Sequence, residues 1–129
     1  MEGKGVPKNQ VEAAKWYRKA AEQNEVDAQY ALGICYGTGE GVAKDPVEAA
    51  GWLRKAAEQN LALAQRTLAV CYEQGDGVAK DQVEAYKWLL LAVRQRDESA
   101  MQILTVLDRK LTPEQIAEGQ KRAREFKPR

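Results

Sequence analysis

Residues 5–36 and 41–72 are one segment written twice, 36 positions apart, with 20 of the 32 aligned pairs identical. Gly5, Val6, Glu12, Ala13, Trp16, Ala20, Ala28, Leu32, Cys35 and Tyr36 return as Gly41, Val42, Glu48, Ala49, Trp52, Ala56, Ala64, Leu68, Cys71 and Tyr72. A third copy runs through Gly77, Val78, Glu84, Ala85, Trp88, Ala92, Ala100 and Leu104. A fixed period of this size confines the chain to a solenoid, because each unit can bury its apolar face only against its neighbours. Solenoids expose long surfaces, so the repeat favours binding over chemistry.

Each unit contains two helical patterns. One starts after Asn9, Asp45 and Asp81. In the middle copy Asp45 is placed to cap, Pro46 stands at the first helical position, and Glu48 at the third completes a capping box. Ala49, Trp52, Leu53, Ala56 and Ala57 follow at the spacing of an apolar helical stripe. The second helix runs over about 27–36, 62–72 and 98–107, with Ala28, Leu32, Cys35 and Tyr36 as its buried side. Ala28, Ala64 and Ala100 are small enough for close helix packing, as are Gly33, Ala69 and Thr105. The Gly-rich connections, Gly39 to Lys44 and Gly75 to Lys80, suit tight turns. Their glycines stand too far from the N-caps, with no preceding strand, to cradle phosphate.

Twenty basic residues face nineteen acidic ones, which argues against a global pull towards nucleic acid or membranes. No apolar run approaches the ~18 residues of a membrane span. No signal-peptide core follows Met1, which favours a cytoplasmic chain. The sequence opens midway through a repeat, so a longer N-terminus is equally compatible. Histidine is absent. Cys35 and Cys71 hold equivalent sites in stacked units, about 10 Å apart, beyond the roughly 7 Å Cα reach of a disulfide. Both read as small buried hydrophobes, with no metal site and no cofactor. Without a convergent acid–base set or nucleotide fingerprint, the chain reads as no enzyme.

The pattern A-x-x-x-L-G-x-x-Y-x-x-G-x-G-V-x-x-D-x-x-x-A-x-x-W-x-x-K-A-A, read without a gap from Ala28 to Ala57, resembles the Sel-1-like repeat, a relative of the tetratricopeptide repeat. The resemblance covers nearly all of residues 5–108. It implies an all-α fold: a right-handed α/α superhelix of stacked helix-turn-helix repeats, here with a C-terminal capping helix. Its L-G-x-x-Y helix is helix A and its W-x-x-K-A-A helix is helix B. One domain then fills 1–129: a leading loop and helix B (5–24), repeats 25–60 and 61–96, a last helix A (97–110) and a capping helix (111–127). Thr112, Pro113 and Gln115 are spaced to start that cap. The family also implies scaffolding of protein partners, often in bacterial signalling. A cysteine-rich branch staples each repeat with a disulfide; this chain has Ala21 and Ala57 where that branch carries a cysteine. Some members of that branch are labelled β-lactamases, and hydrolase chemistry of that type stands as the remotest alternative.

If Ala28, Leu32, Cys35 and Tyr36 face inwards, Asp27, Tyr30 and Ile34 face outwards. Leu63, Arg66, Val70 and Glu73 follow in the next unit, then Gln102, Val106 and Arg109 in the third. The resemblance puts this face on the concave side, where a protein or peptide would lie in a groove. The competing account is that scattered exposed apolar residues are ordinary. Two edges also stand out. Tyr86, Leu90 and Leu91 replace Ala50, Arg54 and Lys55, and either the closing helix, through Ile116 and Phe126, or a second copy would cover them. The leading helix B lacks its own helix A, which leaves Trp16 and Tyr17 at an open N-terminal edge for a homodimer. A chain with only an architectural or self-association role, as part of a longer array, is the alternative to the scaffold.

Overall fold

The computed structural model describes residues 8–129, with seven helices and no strand among them. They are α1 (Lys8–Glu22), α2 (Val26–Thr38), α3 (Pro46–Glu58), α4 (Ala62–Gln74), α5 (Gln82–Arg94), α6 (Glu98–Lys110) and α7 (Pro113–Glu125). The recurring Gly5 and Val6 lie outside the described residues. Each helix from α1 to α6 packs on its neighbours in sequence, and α7 packs chiefly on α5. The chain is thus a helical solenoid closed by a terminal helix.

The helix starts follow local chemistry. Asp45 caps α3 by accepting from the Glu48 amide, and Pro46 holds the first position. Among the described residues, the reciprocal bond that makes a full capping box forms only at α7, between Thr112 and Gln115. Asp81 caps α5 through the Val83 and Glu84 amides. Asn9, expected to cap α1, lies inside it.

The paired glycines explain how units stack. Gly41 (φ 78°) and Gly77 (φ 78°) adopt left-handed backbone. A Cβ at Gly41 would strike the Gln10 carbonyl oxygen, and one at Gly77 the Pro46 carbonyl oxygen. Only glycine lets each connection lie directly on the preceding helix B. There it meets Ala14 and Ala50. The third copy carries Tyr86 at this position, and Gly119 of α7 packs against its ring. The capping helix therefore takes the place that the next unit's connection would occupy.

The core combines apolar layers with a polar ladder. Leu32, Leu68, Leu89, Leu107 and Trp88 are fully buried, each leucine stabilising the fold by about 1.5–3 kcal/mol. Between the units lie Gln29 and Gln65, 1% and 0% exposed. Gln29 Nε2 donates to the Ala21 carbonyl and to Asn24 Oδ1, while its Oε1 accepts from Gln59 Nε2 at 2.8 Å. Gln65 repeats this with Ala57, Asn60 and Gln95. Asn24 (φ 70°) and Asn60 (φ 74°) hold the left-handed turns before α2 and α4, a conformation asparagine tolerates well. In the third copy the turn residue is Arg96 (φ 66°), and Met101 replaces the glutamine, 49% exposed. The ladder ends where stacking ends.

Replacing Gln65 by Leu keeps its volume but strips partners from Asn60 and Gln95. We expect a loss of about 1–3 kcal/mol, read as a lower denaturant midpoint in circular dichroism. A midpoint equal to wild type would show the ladder to be dispensable.

Candidate partner-binding face

The expected groove residues fall on α2, α4 and α6, on one stripe of each helix. Their exposure is graded. Tyr30, Ile34, Arg66, Val70 and Glu73 are half-buried, whereas Asp27, Leu63, Gln102, Val106 and Arg109 are exposed. Tyr30 and Ile34 are half-buried because they pack against the main core cluster. Nothing in the described chain stacks beyond α6. Leu63 is 43% and Val106 54% exposed, making them the prominent apolar groups of this face.

Two of its polar residues bind the protein to itself. Arg66 Nε lies 3.3 Å from Asp97 Oδ2, although it is not aligned for a hydrogen bond. Asp97 also caps α6 through the Ala100 amide at 2.9 Å. Glu73 accepts from Lys110 Nζ at 3.2 Å. Both pairs bridge successive units, so Arg66 and Glu73 serve the stack as well as the surface.

The helical wheel did not reveal an opening at the first junction. A pocket of about 220 Å³ lies among Gly33, Gly37, Ala49, Leu53, Thr67 and Cys71, with Ile34 and Val70 beside them and Asp76 at its edge. The signal was present in the sequence as residue size: Gly33 and Gly37 become Ala69 and Glu73 one unit later. Cys71 is therefore only half-buried, unlike the buried Cys35. Burial, then the Asp76 charge, raises its thiol pKa; burial and Glu40 do the same for Cys35.

Of the Tyr86, Leu90 and Leu91 surface, Tyr86 and Leu91 are not free for a dimer, while Leu90 is half-buried. Tyr86 is 3% and Leu91 5% exposed, because α7 lies on α5. Phe126 meets Trp88 edge-on at 5.4 Å between ring centres. Arg122 clamps the same seam, with Nη1 2.7 Å from Glu84 Oε2. The Tyr86 hydroxyl donates to Asp108 Oδ1 at 2.6 Å. The N-terminal edge differs: Trp16 is 68% exposed, with Lys19 Nζ 5.1 Å from its ring centre.

The Sel1 repeat profile matches residues 1–25, 26–61 and 62–97. The chain belongs to the Sel1 repeat family. These Sel1 repeats are similar to c5321, a protective antigen present in uropathogenic Escherichia coli strains and displaying an SLR fold. That match has 34% identity and a TM-score of 0.90 over 95% of this chain and 26% of c5321. A Sel1 repeat protein from Oxalobacter formigenes matches at 41% identity and a TM-score of 0.74, over 79% of this chain and 42% of that one. Helicobacter pylori cysteine rich protein B matches at 32% and 0.67, over 70% of this chain and 68% of that protein. The chain thus spans about a quarter of c5321 and under half of the Oxalobacter protein. A search of curated proteins finds no match. Among the described residues, no helix is long and apolar enough to cross a membrane.

Burial, then the hydrogen bond to Asp108, pushes the Tyr86 pKa from 10.0 up to about 12. In the unfolded chain Tyr86 loses its proton near pH 10. The folded protein keeps that proton longer, so this contribution is complete below pH 10 and is lost between about pH 10 and 12. Tyr86→Phe should show a shallower loss of denaturant stability across that window than wild type. Parallel curves would remove Tyr86 as the cause.

Proposed function

We propose that this Sel1 repeat chain is a protein-interaction scaffold that holds an extended or helical segment of a partner along the face of α2, α4 and α6. The observation that carries this reading is the apolar stripe itself. Leu63 and Val106 project into solvent, with Tyr30, Ile34 and Val70 half-buried on the same stripe. Asp27, Gln102 and Arg109 supply polar groups along it. An apolar stripe broken by charges suits a laid-in peptide, where a few buried anchors dominate affinity. The concave placement of this face and the division at 25–60, 61–96, 97–110 and 111–127 belong to the same proposal. No catalytic step is assigned.

A second reading, self-association through the open N-terminal edge, rests on the exposure of Trp16. Sedimentation should then show mass rising with concentration, and Trp16→Ser should abolish the rise. A constant monomer mass removes this reading.

The scaffold is tested with Leu63→Asp/Val106→Asp, since neither side chain supports the core. A partner captured from cell extract and then purified should bind this variant at least tenfold more weakly, about 1.4 kcal/mol. The helical signal and melting temperature should be unchanged. Equal affinity for both proteins would move the site away from this face.

A further inference from the structure

The pocket at the first junction is not a requirement of the repeat. One unit later four of the same positions carry bulkier side chains. Gly33 and Gly37 become Ala69 and Glu73, while Thr67 and Cys71 become Ile103 and Leu107. Leu107 is 1% exposed, and Ile103 packs on the core. Glu73 is bonded to Lys110, a bridge with no counterpart at Gly37. At these four lining positions the second junction thus carries bulkier side chains, and the first holds about 220 Å³ of space.

The space has a defined chemistry. Its floor is apolar, built by Ala49 and Leu53 on α3 with Val70 and Cys71 on α4. An apolar cavity of roughly 150 Å³ accepts a benzene-sized guest, so this one has room for a single Leu, Ile or Met side chain. Among the described residues that line it, Asp76 is the charged one, and it is exposed at the rim. A carboxylate beside an apolar hole favours a cation next to an apolar anchor.

We propose that this pocket is the specificity site of the scaffold: it takes one aliphatic side chain of a partner segment whose neighbouring residue is Lys or Arg. The inference rests on the partner-binding reading, since Ile34 and Val70 belong both to the stripe and to the pocket wall. The anchor enters between α2 and α4, the peptide continues along the stripe, and its basic residue meets Asp76.

The probe is a phage-displayed random dodecapeptide library selected on the described protein, followed by titration of the enriched peptide with amide shifts recorded by NMR. The expected consensus is Leu, Ile or Met beside Lys or Arg, with the largest shifts at Gly33, Gly37 and Thr67. Thr67→Ile/Cys71→Leu fills the pocket with the residues that the fold already accepts at 103 and 107. It should keep the wild-type melting temperature and lose at least tenfold in affinity. Asp76→Lys leaves the pocket open and should weaken the same peptide, most at low salt. A peptide retained by the filled variant but lost by Leu63→Asp/Val106→Asp overturns the pocket and keeps the scaffold face. A peptide lost by the filled variant alone keeps the pocket and removes that face. A library without the aliphatic–basic pair overturns the pocket.

Discussion

A single buried glutamine per unit holds the stack in register. Gln29 and Gln65 each reach the end of the helix before them and accept from the end of the helix after them. One amide therefore ties three helices, and it does so inside a core where an unpaired polar atom would cost more than the bond yields. Apolar burial supplies most of the energy but has no direction. The ladder supplies direction, because its bonds exist only at one axial offset between units. The left-handed Asn24 and Asn60 turns complete the device by offering both a sharp reversal and a side-chain acceptor.

The third unit departs from this scheme at several linked positions. Met101 cannot continue the ladder, Arg96 occupies a turn conformation that asparagine fills elsewhere, and Thr105 enlarges a position held by glycine and alanine. These changes coincide with a different way of ending. Tyr86 stands where alanine receives the next connection, and α7 covers it with Gly119, Phe126 and Arg122. A solenoid must terminate its exposed apolar layer, and here a helix lies across the last helix B instead of another unit stacking on the last helix A.

The surface follows the same division of labour. Buried groups such as Leu32, Leu68, Ala56 and Ala92 recur between copies and pack the frame, while several that vary face outwards or tune the junctions. Arg66 and Glu73 are drawn partly into the frame through Asp97 and Lys110. Leu63 and Val106 are not. The opening beside Thr67 and Cys71 arises from absence of bulk rather than from any added group, so a wheel that sorts residues into inward and outward sets passes over it.

Helix number, the Asp45 and Thr112 starts and the burial of Ala28, Ala64, Ala100, Gly33 and Ala69 were legible in the sequence because each depends on residues within one or two turns, whereas Thr105, expected to share their close packing, is exposed. The stripe from Leu63 to Val106 was legible for the same reason, since helical geometry alone puts those positions on one face of their helices. Tertiary structure alone decided the rest. It sealed Tyr86 and Leu91 beneath α7, because which of two surfaces covers them depends on the path of a helix some thirty residues downstream. It bound Arg66 to Asp97 and Glu73 to Lys110 across units. It also left space at the first junction, because a cavity is set by the sum of several side chains from three helices and not by any one of them.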